Sequence, residues 1–132
     1  MSTAKKSDFG FTKLLVADLE RSAAFYKAVC GLEESARVDA DIAGRKISEI
    51  MMQATTAGGA TLVLLHFQDR PRPALDEVIL GFITADLEAF LKRTRDAGGS
   101  VYEEIKSMPE HGVRVAFVRD VEGHLIEVVQ MI

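Results

Sequence analysis

The sequence predicts an α+β fold made of two βαβββ modules in a single domain. Three observations carry that prediction. Leu14-Leu15-Val16-Ala17-Asp18-Leu19-Glu20 returns as Phe82-Ile83-Thr84-Ala85-Asp86-Leu87-Glu88, with Ala-Asp-Leu-Glu identical. Gly31 and Gly99 keep the same 68-residue offset as the two aspartates. In both copies an apolar run reaches the Asp and is followed by an amphipathic segment that ends at glycine. Self-similarity at a fixed period marks a repeated structural unit. The 132 residues then divide into modules 8–68 and 75–132, joined by a linker at 69–74 that carries two prolines.

Phe9 to Val16 is apolar, β-branched or aromatic with Lys13 interposed, which predicts a strand. Asp18 suits a helix N-cap because its carboxylate can accept from free first-turn amides, and Glu20 adds charge that the helix dipole favours. Leu19, Ala23, Tyr26 and Cys30 fall at helical spacing and predict a buried stripe, with Gly31 in the left-handed position that closes the helix. Strands are predicted at 32–38 and 45–53, with Asp39 to Gly44 as the loop between them. Gly58-Gly59 is a turn, and Thr61 to Phe67 is a strongly apolar strand. The second module repeats this order. Val78 to Ile83 is its strand, Asp86 its cap, and Leu87, Phe90, Leu91 and Thr94 its helical stripe, ended by Gly98-Gly99. Val101 to Ile105 is a short strand, and Pro109-Glu-His-Gly is a turn. Val113 to Arg119 and His124 to Met131 form a hairpin through Asp120-Val-Glu-Gly.

Composition bounds what the domain does. Hydrophobic content of 48% and charged content of 27% describe a chain able to bury a core. A net charge of −4 argues against a nucleic-acid partner, which would need a basic face. No run approaches the roughly 18 apolar residues that span a bilayer, so no membrane association is expected. Lys5-Lys6 is followed by no apolar h-region, so no signal peptide is expected either. Cys30 is the single cysteine and packs as a small apolar residue in this reading. A cytoplasmic protein is expected.

The segment Val16-Ala-Asp-Leu-Glu-Arg-Ser-Ala-Ala-Phe-Tyr with Gly31-Leu32 resembles the vicinal oxygen chelate superfamily of glyoxalase I, bleomycin-resistance proteins and extradiol dioxygenases. Asp86-Leu-Glu-Ala-Phe with Ala97-Gly-Gly, and the hairpin Phe117-Val-Arg-Asp-Val-Glu-Gly-His-Leu-Ile-Glu, carry the same resemblance, over roughly residues 9 to 131. The resemblance implies a glyoxalase-like pair of half-barrel modules, eight strands in all, around a cavity, with helices outside and often a homodimer. In metal-using members a His/Glu set on the first and last strand of each module holds one divalent ion. Those positions correspond here to Phe11, Ile79, Val63 or Leu64, and Glu127. Only Glu127 can ligate, since the others have no donor atom. The position of the glyoxalase I arginine that holds the glutathione carboxylate corresponds to Leu15. The usual lactoylglutathione lyase chemistry is therefore not expected, and the substituted positions give the cavity an apolar lining.

Glu127 stands in an apolar strand, where a carboxylate needs a cavity, a partner charge or solvent. Pairing Asp120 with Gly123 across the hairpin would set Ala116 opposite Glu127, put Arg114 on its face and turn Phe117 toward the helices. Arg114 is then either a salt-bridge partner or an anchor for an anionic ligand. A desolvated carboxylate is also a candidate base. If Leu64 points inward, His66 shares its face and joins Glu127 as an acid–base residue or a relocated ligand; the alternative is a half-buried histidine at a strand end. His111 and His124 are expected to be exposed. Glu49 shares a face with Ile47 and Met51, either in the cavity or on a solvated edge. Two functional readings follow. The first is a pocket without bound metal or other cofactor that holds a small, partly apolar organic molecule, lined by Phe11, Leu15, Glu49, Leu64, Ile79 and Arg114. The second is an enzyme of the lyase, isomerase or dioxygenase class that uses Glu127 and His66 or a non-standard divalent metal site.

Overall fold

In the computed structural model, which describes residues 7, 9–69, 75 and 77–132, both helices begin at the repeated aspartate. Asp18 accepts from the Arg21 amide at 3.1 Å and opens α1 (Leu19–Cys30). Asp86 accepts from the Ala89 amide at 3.0 Å and opens α2 (Leu87–Asp96). Each carboxylate thereby satisfies a first-turn donor that the helix cannot pair internally. Gly31 closes α1 at φ 69°, a left-handed conformation that costs a residue with a Cβ more than glycine.

The first module adds β1 (Phe11–Leu15), β2 (Glu33–Ile42), β3 (Arg45–Gln53) and β4 (Thr61–Phe67). The second adds β5 (Leu80–Ile83), β6 (Ser100–Met108), β7 (Val113–Arg119) and β8 (Leu125–Met131), with a 3-10 turn at Pro109–His111. The strand orders are β1-β4-β3-β2 and β5-β8-β7-β6, so the two βαβββ modules share one topology. β1 runs parallel to β4, and β5 parallel to β8. The remaining neighbours are antiparallel. Neither sheet closes into a barrel. Of the linker expected at 69–74, residues 70–74 lie outside the described residues.

Two elements run longer than the sequence suggests. β2 and β3 continue to a two-residue turn at Ala43-Gly44, where both φ angles are positive, in place of a six-residue loop. β6 continues through Lys106-Ser107-Met108, with register shifts between Val101 and Glu103 and between Glu103 and Lys106 that absorb its irregular polarity.

One core serves both modules. Phe25, Tyr26 and Val29 of α1 meet Leu87, Phe90 and Leu91 of α2, backed by Leu14, Ile50 and Leu64 of one sheet and Ala116, Val118 and Ile126 of the other. Burying a side chain such as Phe25 or Leu87 contributes on the order of 2 kcal/mol. The α1 stripe is broader than its 3.6-residue spacing implies. Ser22, Phe25 and Val29 are buried beside Ala23 and Tyr26, because the helix is covered by its own sheet and by the second module. Leu19 and Cys30 are half-buried at its margin. Burial pushes the Cys30 thiol up to about 12, the Arg93 charge opposing only in part, so it packs as an apolar group. Gly99 brings the backbone of the second module close to α1. A Cβ there would lie 2.5 Å from the Arg119 carbonyl oxygen and 2.8 Å from the Phe25 ring.

Candidate functional site

The core cluster fixes which face of each sheet meets the helices. Leu14, Ile50, Met52 and Leu64 do so in the first sheet, and Ala116, Val118, Ile126 and Val128 in the second. Strand alternation sends the intervening residues to the opposite, helix-free faces. On the first sheet these are Phe11, Lys13 and Leu15 of β1, Ile47, Glu49 and Met51 of β3, and Val63 and Leu65 of β4. On the second they are Gly81 of β5, Val115 and Phe117 of β7, and Glu127 and Val129 of β8.

A part-buried ion pair crosses the first of these faces. Lys13 reaches over β4, and its Nζ donates to a Glu49 carboxylate oxygen at 2.8 Å. Glu49 is only 5% exposed, whereas the Lys13 side chain is 33% exposed. Val63 and Leu65, the β4 residues between the two strands, are buried at 3% and 2%. The arrangement is a covered carboxylate with a cation at the rim of an apolar floor. An unpaired charge there would be costly, so Lys13 makes the position of Glu49 tenable. Sequence reasoning passed over Lys13 as an interruption in a strand. Its signal was parity: it alternates with Phe11 and Leu15, and a parallel β1 beside β4 brings it within reach of Glu49.

The second face differs at each charged position, with Val115 of β7 where the first has Glu49. Gly81 stands at the position of Lys13, and Glu127 pairs with Gly81 as Val63 pairs with Lys13. The register thus makes Val63, not Leu64, the first-module counterpart of Glu127. Glu127 is half-buried beside Phe117, and among the described residues it makes no side-chain hydrogen bond or ion pair. A Cβ on Gly81 would meet nothing within 4 Å, so the space beside the carboxylate is open.

Four expectations are corrected. Arg114 does not neighbour Glu127. The hairpin pairs Asp120 with His124, through the Asp120 amide on the His124 carbonyl at 3.0 Å, which slips the register by one residue. Phe117 therefore stands opposite Glu127, and Ala116 opposite Val128. Arg114 lies on the helix side, where its Nη1 donates to Glu88 and Gln130 at 3.2 Å each. Leu64 is fully buried against the helices. His66, two residues on, also leaves the helix-free face, and its Nδ1 donates to the Val16 carbonyl at 3.0 Å. It is not brought together with Glu127, which belongs to the other sheet. His124, expected in solvent, is 5% exposed. Its Nδ1 meets Asp120 Oδ2 at 2.9 Å and its Nε2 meets the Leu15 carbonyl at 3.0 Å. His111 is exposed in the 3-10 turn.

The two histidines and Glu122 together hold the turn between β1 and α1. Glu122 accepts from the Ala17 amide at 2.8 Å and the Asp18 amide at 2.7 Å. The Leu15 and Val16 carbonyls take His124 and His66. The buried Tyr26 hydroxyl donates to Asp120 at 2.7 Å, and burial, then the Asp120 charge, hold its proton on far more firmly than usual.

Phe11 is 57% exposed at the start of β1, and Ile79 is 55% exposed just before β5. With Val63 they occupy three positions where metal-using relatives carry ligands, and none offers a donor atom. Among the described residues no three His, Cys, Asp or Glu side chains gather as an ion site. The residues present do not fit the divalent ion that the resemblance implies. No described helix is long and apolar enough to cross a membrane.

A family model described as the Glyoxalase/Bleomycin resistance protein/Dioxygenase superfamily matches residues 9–128. A glyoxalase family protein from Bacillus cereus has a similar structure, with a TM-score of 0.82, 20% identity and 99% of each chain covered. A glyoxylase/bleomycin resistance protein/dioxygenase domain from Frankia sp. EAN1pec has a TM-score of 0.74 at 21% identity, over 96% of this chain and 98% of that one. A glyoxalase I mutant from Zea mays has a TM-score of 0.66 at 24% identity, over 92% of this chain and 45% of that one. A comparison with curated proteins gives no match. These structural likenesses speak for the fold, and the family model covers nearly the whole sequence: the chain belongs to the Glyoxalase/Bleomycin resistance protein/Dioxygenase superfamily.

Proposed function

We propose that this protein binds a small, partly apolar organic molecule on the helix-free faces of its sheets, without the metal site of glyoxalase I. One observation carries the reading: two apolar faces each hold one carboxylate, Glu49 covered by Lys13 and Glu127 left open beside Gly81. A molecule with an apolar body and a hydrogen-bond donor or cationic group suits Glu127, while an acidic group suits the Lys13 rim. Phe11, Leu15 and Ile79 supply apolar contact on the same side.

The reading extends to assembly and compartment. Phe9, Phe11, Ile79 and Ile83 are exposed along β1 and β5, each an edge strand of its sheet, as an apolar surface, and Met131 and Ile132 are exposed at the end of β8. Pairing of two copies would cover that surface. A cytoplasmic setting keeps the single thiol of Cys30 reduced.

An enzyme of the same superfamily is the second reading, favoured by one feature: Glu127 has open space in front of it, as a proton acceptor needs. Glu127→Ala separates the two readings. Loss of turnover with ligand binding retained makes the protein an enzyme with Glu127 as its base. Loss of affinity for amines, read by thermal shift against a panel of aromatic amines and acids, is expected from the binding reading. Metal analysis of the dialysed protein accompanies it. A stoichiometric divalent ion would overturn the metal-independent site.

A further inference from the structure

Both ring nitrogens of His124 face acceptors. The Leu15 carbonyl at Nε2 can only accept. At Nδ1 stands the Asp120 carboxylate, whose side chain is wholly buried. Three donors besides the ring converge on that carboxylate. These are the Glu122 amide at 2.9 Å, the His124 amide at 3.0 Å and the Tyr26 hydroxyl at 2.7 Å. Donors in that number favour the ionised carboxylate and leave it no proton to give the ring. A neutral imidazole would then turn a lone pair toward one acceptor or the other, whichever tautomer formed. Only the doubly protonated ring satisfies both.

We propose that His124 is an imidazolium cation at neutral pH, a charged latch between the two modules that alkaline pH releases by removing one ring proton. Its position makes it a latch. Leu15 ends β1 of the first module, Tyr26 belongs to α1, and Asp120 and Glu122 belong to the β7–β8 hairpin of the second. Among the described residues these are the groups facing the ring or its carboxylate. The other charges nearby are otherwise engaged, Asp18 capping α1 and Arg119 donating to the Gly123 carbonyl at 2.8 Å. Geometry and electrostatics agree. Burial works against the charged ring, but the hydrogen bond and charge of Asp120 hold His124 above the ordinary 6.5. Burial likewise works against the Asp120 carboxylate, and His124 and Tyr26 hold it below its ordinary value. A raised histidine contributes stability that is fully present below the unfolded value near 6.5 and is lost as pH rises through the folded one. The latch thus weakens on the alkaline side.

The test is nitrogen-15 NMR of the intact wild-type protein, observing the His124 ring from pH 5 to pH 10. Two protonated ring nitrogens at pH 7, with the ring losing a proton only on the alkaline side of pH 7, are expected. A ring with one unprotonated nitrogen at pH 7, or a neutral ring beside a protonated Asp120, overturns the proposal. Urea unfolding of wild type and His124→Gln adds a thermodynamic readout. The ratio of their unfolding constants should shrink several-fold from pH 6 to pH 9, and a ratio independent of pH overturns the latch. Should His124→Gln fail to fold, the ring titration in Tyr26→Phe replaces it. Loss of that hydroxyl raises the proton affinity of Asp120, so the His124 midpoint should move; an unmoved midpoint counts against the coupled pair.

Discussion

The histidines of this chain show how far residue chemistry can be read before contacts are known. Sequence pattern left His66 either in a cavity or half-buried at a strand end, and the latter holds; it put His124 in solvent, because a histidine after a glycine turn is commonly exposed. Both hold backbone carbonyls of the β1–α1 turn. Nothing local announces this, since Leu15 and His124 are 109 positions apart and meet only through packing. Glu49 was legible as an odd carboxylate in an apolar strand, but its partner was not, because Lys13 reaches it across an intervening strand. That pair makes a definite prediction. Lys13→Met removes the cation and leaves a carboxylate that is 95% covered, a loss of about 1–3 kcal/mol, below the full cost of breaking a buried pair because the lysine is one-third exposed. Combining Lys13→Met with Glu49→Met should recover most of that loss in urea unfolding, since an apolar pair carries no desolvation penalty. A single variant as stable as wild type would show that Glu49 does not depend on Lys13.

At the scale of elements, the caps and the α2 stripe were legible because they obey local rules. Leu87, Phe90, Leu91 and Thr94 are buried as their spacing requires. The β7–β8 register was not legible to one residue. Asp120-Val-Glu-Gly fits a two-residue turn on composition, but the Asp120 side chain binds the Glu122 and His124 amides and the loop takes three residues. That single slip moved Arg114 and Phe117 to opposite faces from those expected. The same loop supplies Glu122, so α1 has two caps of unequal weight. Asp18 satisfies one amide within its own helix, and its replacement by alanine should cost about 1 kcal/mol. Glu122 satisfies the Ala17 and Asp18 amides from the other module, so Glu122→Ala should cost more, about 2–3 kcal/mol. Denaturant titrations of both variants check the order. Equal losses would mean that Glu122 contributes capping alone and no inter-module attachment.

For the whole molecule, the duplicated stretch gives the topology, and the differences between the copies motivate the proposed site. Lys13 and Gly81 occupy one position in two modules of the same topology, so Glu49 has a lysine over it while no side chain stands at Gly81 beside Glu127. The edges of the sheets differ as sharply. β2 at one end carries Glu33, Glu34, Arg37, Asp39 and Asp41, and charge on an edge strand discourages pairing with another chain. β1 and β5 carry exposed aromatic and branched aliphatic residues instead, with Phe11 at 57% and Ile83 at 76% exposure. An unpaired edge of that composition in water favours association through strand pairing and apolar burial together. The proposed assembly joins two copies through β1 and β5. Sedimentation equilibrium of the wild type should then give a dimer. Ile83→Glu should weaken it at least about tenfold, or roughly 1.4 kcal/mol, because a charge at the centre of the contact loses its water. The circular dichroism of Ile83→Glu should match the wild type, since Ile83 is outside the core cluster. A wild type that sediments as a monomer at every concentration would leave the β1 and β5 surface to some other partner and remove the homodimer from this account.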